Sequence, residues 1–177
     1  MRFHTASARS GRQRDTSNFS MHQVSVQEMQ MNHIGLYSNE KHRAQVVRLW
    51  HAVFGHATAH NNAGLAIDKK LEVDDGLFFV ALRDGVVIGT TLAGYDGHRG
   101  WLYSVAVHPE HRKRGIGSAL VRHAEGELAL RGCMKVNLQV VSGNESVAAF
   151  YEALGFVTEP RVSMGKPIPA NIPAVFL

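Results

Sequence analysis

The chain has 177 residues, 45% of them hydrophobic, which is enough for one domain with a proper core and too short for two of ordinary size. Its net charge of +4 is spread, apart from Arg112–Arg114 and a leader carrying Arg2, Arg9, Arg12 and Arg14. Neither makes a nucleic-acid groove, and the leader has no interleaved aromatic platform and no amphipathic helix, so neither a nucleic-acid nor a membrane partner is expected. The single cysteine, Cys133, excludes an intrachain disulfide framework and fits a reducing compartment, so the cytoplasm is the expected location.

Residues 1–32 are rich in Ser, Arg and Gln, lack the apolar run of a secretory signal or a membrane span, and read as a disordered or extended leader. Met21, Met29 and Met31 at its end suggest a later natural start of translation. The domain is expected over residues 33–166, followed by a Pro-rich tail, 167–177, with Pro167, Pro169 and Pro173.

A short strand is predicted around Ile34–Tyr37. Glu40–Phe54 then places Val46, Val47, Leu49, Trp50 and Val53 at amphipathic-helix spacing, and Leu65–Val73 reads as a second helix. Leu77–Leu82 and Val86–Tyr95 flank Arg83-Asp84-Gly85, a strong hairpin signal, and a second turn follows at Asp96–Gly100. Trp101–Val107 is the fourth predicted strand. Gly115–Arg131 is a helix with Ile116, Leu120, Val121, Ala124 and Leu128 inward and Gly132 as its stop. Met134–Val141 reads as a strand, Asn144–Leu154 as a helix, and Phe156–Met164 as one or two strands bent at Pro160.

The chemistry concentrates in WLYSVAVHPEHRKRGIGSAL, residues 101–120. An apolar strand runs into a basic cluster and then into glycines that open a helix, whose first N–H groups have no intrahelical partner and lie at the positive end of the macrodipole. Anions settle there. Gly115 and Gly117 clear space for phosphate oxygens, and Arg112, Lys113 and Arg114 add charge-assisted donors. A P-loop would need Lys-Ser/Thr after the second glycine, where Ser118-Ala119 stands. A dinucleotide fingerprint would need a third glycine at Leu120 and an acidic residue near Asn137–Val140.

The pattern V-x-P-E-x-R-x-x-G-x-G from Val107 to Gly117 resembles the acetyl-CoA-binding segment of the GNAT acetyltransferase superfamily. NESVAAFYEALGF, Asn144–Phe156, is similar to the family's later helix, with an asparagine at its start, a tyrosine seven positions on and Leu-Gly-Phe after it. Both occur in family order, and the resemblance covers about residues 33–166. The turn YDGHRG, Tyr95–Gly100, is similar to that of a bacterial subgroup of small acetyltransferases.

The resemblance implies an α/β (α+β) fold with a mixed, mostly antiparallel six- or seven-stranded sheet, about four helices and a splayed central strand pair. It implies acetyl-CoA as donor, with backbone of Val105, Ala106 and Val107 pairing with the pantetheine arm and N–H groups of Arg112, Lys113, Arg114, Gly115, Ile116, Gly117 and Ser118 around the pyrophosphate. Asn144 lies where the family bonds the pantetheine arm, and is also a natural helix N-cap. Tyr151 is the implied general acid for the departing thiolate, against a plainer reading as a tyrosine packed on Phe150 and Phe156. Val107 or a near neighbour holds the oxyanion.

The general base is open. Tyr103-Ser104 stands where many relatives carry a glutamate, which leaves water lined by backbone carbonyls, Ser104, His98 or Asp96, the last two also explained as turn residues. His56 and His60 lack the context of a metal site, and no metal is expected. His108 and His111 border the phosphates instead. Trp50, His51, His60, Asn61 and Asn62 fall on the expected acceptor wall, although Trp50 also has core spacing. The expected activity is transfer of acetyl to a primary amine in a ternary complex. Transfer of a larger acyl group and a non-catalytic CoA sensor are the alternatives, and a homodimer is the expected assembly.

Overall fold

The structure, a computed structural model, describes residues 32–55 and 62–168. The leader, His56, His60, Asn61 and the tail beyond residue 168 lie outside the described residues. The chain divides between Leu138 and Gln139 into two compact units.

In the first unit the order is β1 (Asn32–Leu36), α1 (Asn39–Phe54), α2 (Ala63–Val73), β2 (Phe78–Arg83), β3 (Val86–Tyr95), β4 (Gly100–Val107), a 3₁₀ turn (Pro109–His111), α3 (Ile116–Leu130) and β5 (Val136–Asn137). The strands form one five-stranded sheet in sequence order, antiparallel except for the parallel β4–β5 pair. The six or seven strands expected are thus five among the described residues.

The Asp-Gly signal does what its chemistry dictates. Asp84 and Gly85 both have positive φ, 50° and 76°, the two-residue turn whose twist matches a right-handed hairpin. One face of the sheet buries Val46, Leu49 and Trp50 of α1 and Ile67 of α2 against Phe78, Val80, Leu92 and Ala106. Tyr37 stacks on Phe78 with ring centroids 4.1 Å apart. α3 buries Ile116, Leu120, Val121, Ala124 and Leu128, the stripe its spacing predicts. Its close approach needs Gly89 and Gly100: a Cβ on Gly89 would meet Leu120 Cδ1 at 2.9 Å and the Ala106 carbonyl at 3.0 Å, and one on Gly100 would meet Leu128 Cδ1 at 2.9 Å.

Two expected strands need correction. Of Met134–Val141 only Val136–Asn137 pairs, with Gly100–Trp101. Met134 and Val141, 96% and 81% exposed, have no apolar face to bury, so alternation alone does not hold them in a ladder. Phe156–Met164 forms no strand among the described residues. Val157, Val162 and Met164 are exposed, the Arg161 amide bonds the nearby Glu159 carbonyl, and Gln139 reaches Ser163 Oγ through its side chain at 2.6 Å in place of a backbone ladder.

The second unit contains α4 (Glu145–Glu152). Asn144 caps it, its Oδ1 accepting from the Val147 amide at 3.3 Å.

Candidate functional site

β4 breaks its own ladder in the middle. Thr90 pairs with Ala106 and Leu92 with Tyr103, so Ser104 and Val105 together face Thr91. This is a β-bulge with one extra residue on β4, and Ser104 takes the left-handed region at φ 46°. A bulged strand bends and turns backbone groups out of the ladder. On its other side β4 meets β5 only at Gly100 and Trp101, so among the described residues Leu102–Val107 has no strand partner along that edge.

The register then decides which groups face the open edge. The His108 amide donates to the Ile88 carbonyl at 2.9 Å, which makes Ile88 and His108 a hydrogen-bonded pair. By alternation Thr90–Ala106 is another, and Gly89–Val107 lies between them with the Val107 N–H and C=O directed away from β3. The Val107 carbonyl accepts from Arg112 Nε at 3.1 Å. Ala106 is buried and its backbone is engaged by Thr90, so within the expected strip Val107 offers backbone outward and Ala106 does not.

Beyond Val107 the Arg112 amide closes the 3₁₀ turn on the Pro109 carbonyl at 3.3 Å. Lys113 and Gly115 follow at positive φ, 59° and 77°, and Gly115 is the N-cap of α3. Among the described residues the next backbone N–H bonded to a carbonyl is that of Ala119, to Gly115. The amides of Lys113, Arg114, Gly115, Ile116, Gly117 and Ser118 therefore form a run of open donors at a helix N-terminus. Arg112, Lys113 and Arg114 are exposed beside them, and the space over Gly115 is clear to 4 Å. Such a concave run of amides with added cations fits a pyrophosphate.

His108 and His111 border this loop with ring centroids 5.7 Å apart, and neither Nδ1 has a hydrogen-bond partner among the described residues. Burial, then Arg114 and His108, lowers the His111 pKa.

On the opposite side of the bulge, Trp50 is buried and donates from Nε1 to Thr90 Oγ1 at 2.8 Å. The core reading of Trp50 holds. His51 lies exposed on α1, and Asn62 is spent as the N-cap of α2, accepting from the Leu65 amide at 3.0 Å. Asp96 accepts from the amides of His98 and Arg99 at 2.8 and 2.6 Å, and these bonds, the Arg99 one first, hold its carboxyl below the usual carboxylate range. Asp96 is thereby a turn-former and a weak base. Tyr103 is 48% exposed, and its phenol pKa is raised by burial of its remainder and then by Asp96 and Asp75.

In the second unit Tyr151 is 9% exposed between Phe150 and Phe156, whose rings sit 4.9 and 5.5 Å away, edge-on. Burial pushes its phenol up to about 12. A phenol so placed stays protonated throughout the neutral range and is not a base there. The packed reading of Tyr151 describes this environment. Asn144 is likewise a cap whose side chain is partly occupied.

Sequence reasoning missed the bulge and Thr90. Its only signal was a threonine in an apolar strand facing a tryptophan, which becomes legible once the register is known.

Comparison with known proteins agrees with this geometry. Among curated relatives, an acetyltransferase of Yersinia pestis (strain Pestoides F) is 41% identical over 106 residues, covering 60% of this chain and 75% of the relative. Among solved structures, AAC(6')-Iy in complex with the bisubstrate analogue CoA-S-monomethyl-acetylneamine matches with a TM-score of 0.63 at 23% identity, over 78% of this chain and 99% of the other. The ribosomal-protein-S18-alanine N-acetyltransferase of Escherichia coli matches with a TM-score of 0.58 at 23% identity, over 71% and 77%. The sequence profile of the acetyltransferase (GNAT) family matches residues 40–156, and the chain belongs to that family.

Proposed function

We propose that the protein transfers acetyl from acetyl-CoA to a primary amine by direct attack within a ternary complex. The observation that carries this reading is the run of open amides from Lys113 to Ser118, one 3₁₀ turn beyond the outward-facing backbone of Val107. Two phosphates need many convergent donors, and a pantetheine amide needs a strand edge. An edge at Val107 and a loop from Lys113 to Ser118, joined by one short turn, suit both chemistries.

In this reading Arg112, Lys113, Arg114, Gly115, Ile116, Gly117 and Ser118 hold the pyrophosphate, and Val105, Ala106 and Val107 form the edge along which pantetheine lies. The Val107 N–H faces outward and donates to the thioester oxygen as it gains negative charge. The amine nitrogen attacks the thioester carbon, the C–S bond breaks, and Tyr151 gives its proton to the departing sulfur. The amine's own proton leaves through water lined by backbone carbonyls, because β4 carries no carboxylate and Asp96 is held as a weak base. Asn144 bonds the pantetheine arm with the capacity its cap leaves free. Amine substrates are named for two structural neighbours, an acetylneamine analogue and a ribosomal-protein alanine, which supports an amine acceptor here.

The test is calorimetric titration with acetyl-CoA of the native protein and of a variant with Arg112, Lys113 and Arg114 all changed to Ala. Binding by the first and at least about tenfold weaker binding by the second is expected, since charge-assisted contacts to phosphate are worth 1.4 kcal/mol or more in sum. Equal binding by both would overturn the assignment of the loop.

A further inference from the structure

We propose that Thr90, held by Trp50, is a positioning residue that sets the β4 bulge for the transfer step; the proposal rests on the reading of β4 as the catalytic edge. Thr90 is wholly buried on β3. Its hydroxyl accepts from Trp50 Nε1 at 2.8 Å and donates to the Ser104 carbonyl at 3.0 Å.

Chemistry fixes the direction of this chain of bonds. An indole N–H can only donate and a carbonyl can only accept, so the Thr90 oxygen must take the indole proton and its single proton must go to Ser104. No other arrangement satisfies all three groups. Thr90 is therefore locked by a tryptophan of α1 and in turn grips the one residue of β4 that stands in the left-handed region, Ser104 at φ 46°.

That grip matters because Ser104 is strained. A non-glycine residue there costs about 1 kcal/mol or more and persists only when its surroundings over-determine it. The hydroxyl clamps the Ser104 peptide from the β3 side. Val105, Ala106 and Val107 follow directly, so the orientation of the peptide after Ser104 governs where the Val107 N–H is aimed. Trp50 lies on the helix that walls one face of the sheet, so α1 and the bulge are set by the same pair of bonds.

The test compares Thr90→Val, which keeps the shape and removes the hydroxyl, with Thr90→Ser, which keeps the hydroxyl, and with Trp50→Phe, which removes the indole donor together with part of the ring volume. Three readouts are taken: kcat for thiol release, Kd for CoA by calorimetry, and amide hydrogen exchange at Ser104–Val107. For Thr90→Val, kcat falls about tenfold, as loss of one buried bond predicts, with CoA Kd within about twofold of native. Exchange at the bulge amides rises by a similar factor. Thr90→Ser restores both, and Trp50→Phe gives a smaller change of the same kind.

Native kcat and native exchange in Thr90→Val would overturn the proposal. So would equal losses in Thr90→Val and Thr90→Ser, which would indicate packing and not the hydroxyl. Should Thr90→Val fail to fold, unchanged exchange in Trp50→Phe overturns it. Absence of thiol release from the native protein would contradict the proposed function, while the exchange data alone still decide the role of Thr90.

Discussion

Tyr151 lies within the edges of Phe150 and Phe156, and the burial that pushes its phenol up to about 12 makes it a donor and never a base at neutral pH. Tyr151→Phe is expected to lower kcat about a hundredfold, the low end of what a positioned acid supplies, while leaving CoA affinity intact. Steady-state kinetics and calorimetry check the two halves. Gly115 makes a different demand, because its φ of 77° suits glycine and the space above it is open. Gly115→Ala is expected to cost about 1 kcal/mol of stability in a denaturant melt and to weaken CoA binding, since the new methyl group stands where phosphate oxygens approach. Gly89 is a packing glycine. Gly89→Ala drives a methyl group to 2.9 Å from Leu120 Cδ1 and 3.0 Å from the Ala106 carbonyl, and a loss of about 1–3 kcal/mol is expected in the same measurement.

At the scale of elements, α1 begins with a pH-sensitive cap. The Ser38 amide donates to His42 Nδ1 at 3.0 Å and the His42 amide donates to the Ser38 carbonyl at 2.9 Å, so only the neutral imidazole completes the pair. Burial, then Lys41, lowers the His42 pKa from 6.5. A base whose folded pKa is depressed binds its proton more weakly than in the unfolded chain. Its stabilisation is thus full above about pH 6.5 and is lost as pH falls below that value toward the folded pKa. The melting temperature is expected to drop between pH 7.5 and 5.5 by more in the native protein than in His42→Gln, and parallel curves would refute the cap. The elements themselves divided by whether local chemistry or a distant partner decides them. The Asp84-Gly85 turn, the apolar stripe of α3 and the glycine that starts it were legible, because each rests on residues adjacent in sequence. The single ladder step of β5 and the missing strands of 156–164 were not, because alternation describes a strand that has a partner and says nothing of whether one is there.

For the molecule as a whole, the family and the fold class were readable and the acceptor was not. Arg112-x-x-Gly115-x-Gly117 carries the family resemblance, a spacing of glycines and cations suited to phosphate. The bulge announces nothing, for Ser104 is an ordinary serine that tertiary hydrogen bonds hold at positive φ. The face of the sheet under α1 and α2 is a core of Val46, Trp50, Ile67 and Phe78, typical of any helix packed on a sheet, and its residues name no amine. Across the described residues no helix is long and apolar enough to cross a membrane. Ligand linkage offers one global check. Acetyl-CoA at a hundred times its Kd is expected to add about 2.7 kcal/mol of stability, read as a raised melting temperature, and at the same concentration an Arg112/Lys113/Arg114 alanine variant of tenfold weaker affinity keeps about 1.4 kcal/mol of it.

The most direct test of the central claim is thiol release from acetyl-CoA across polyamines, amino acids, aminoglycosides and peptides with free N-termini, with Tyr151→Phe run beside the native protein. Release with one class of amine, matched by an acetylated product in the mass spectrum and reduced about a hundredfold in the variant, is the predicted result. Tight acetyl-CoA binding with no amine-dependent release across the panel would contradict the account and leave a CoA-binding domain that does not transfer acetyl to these amines.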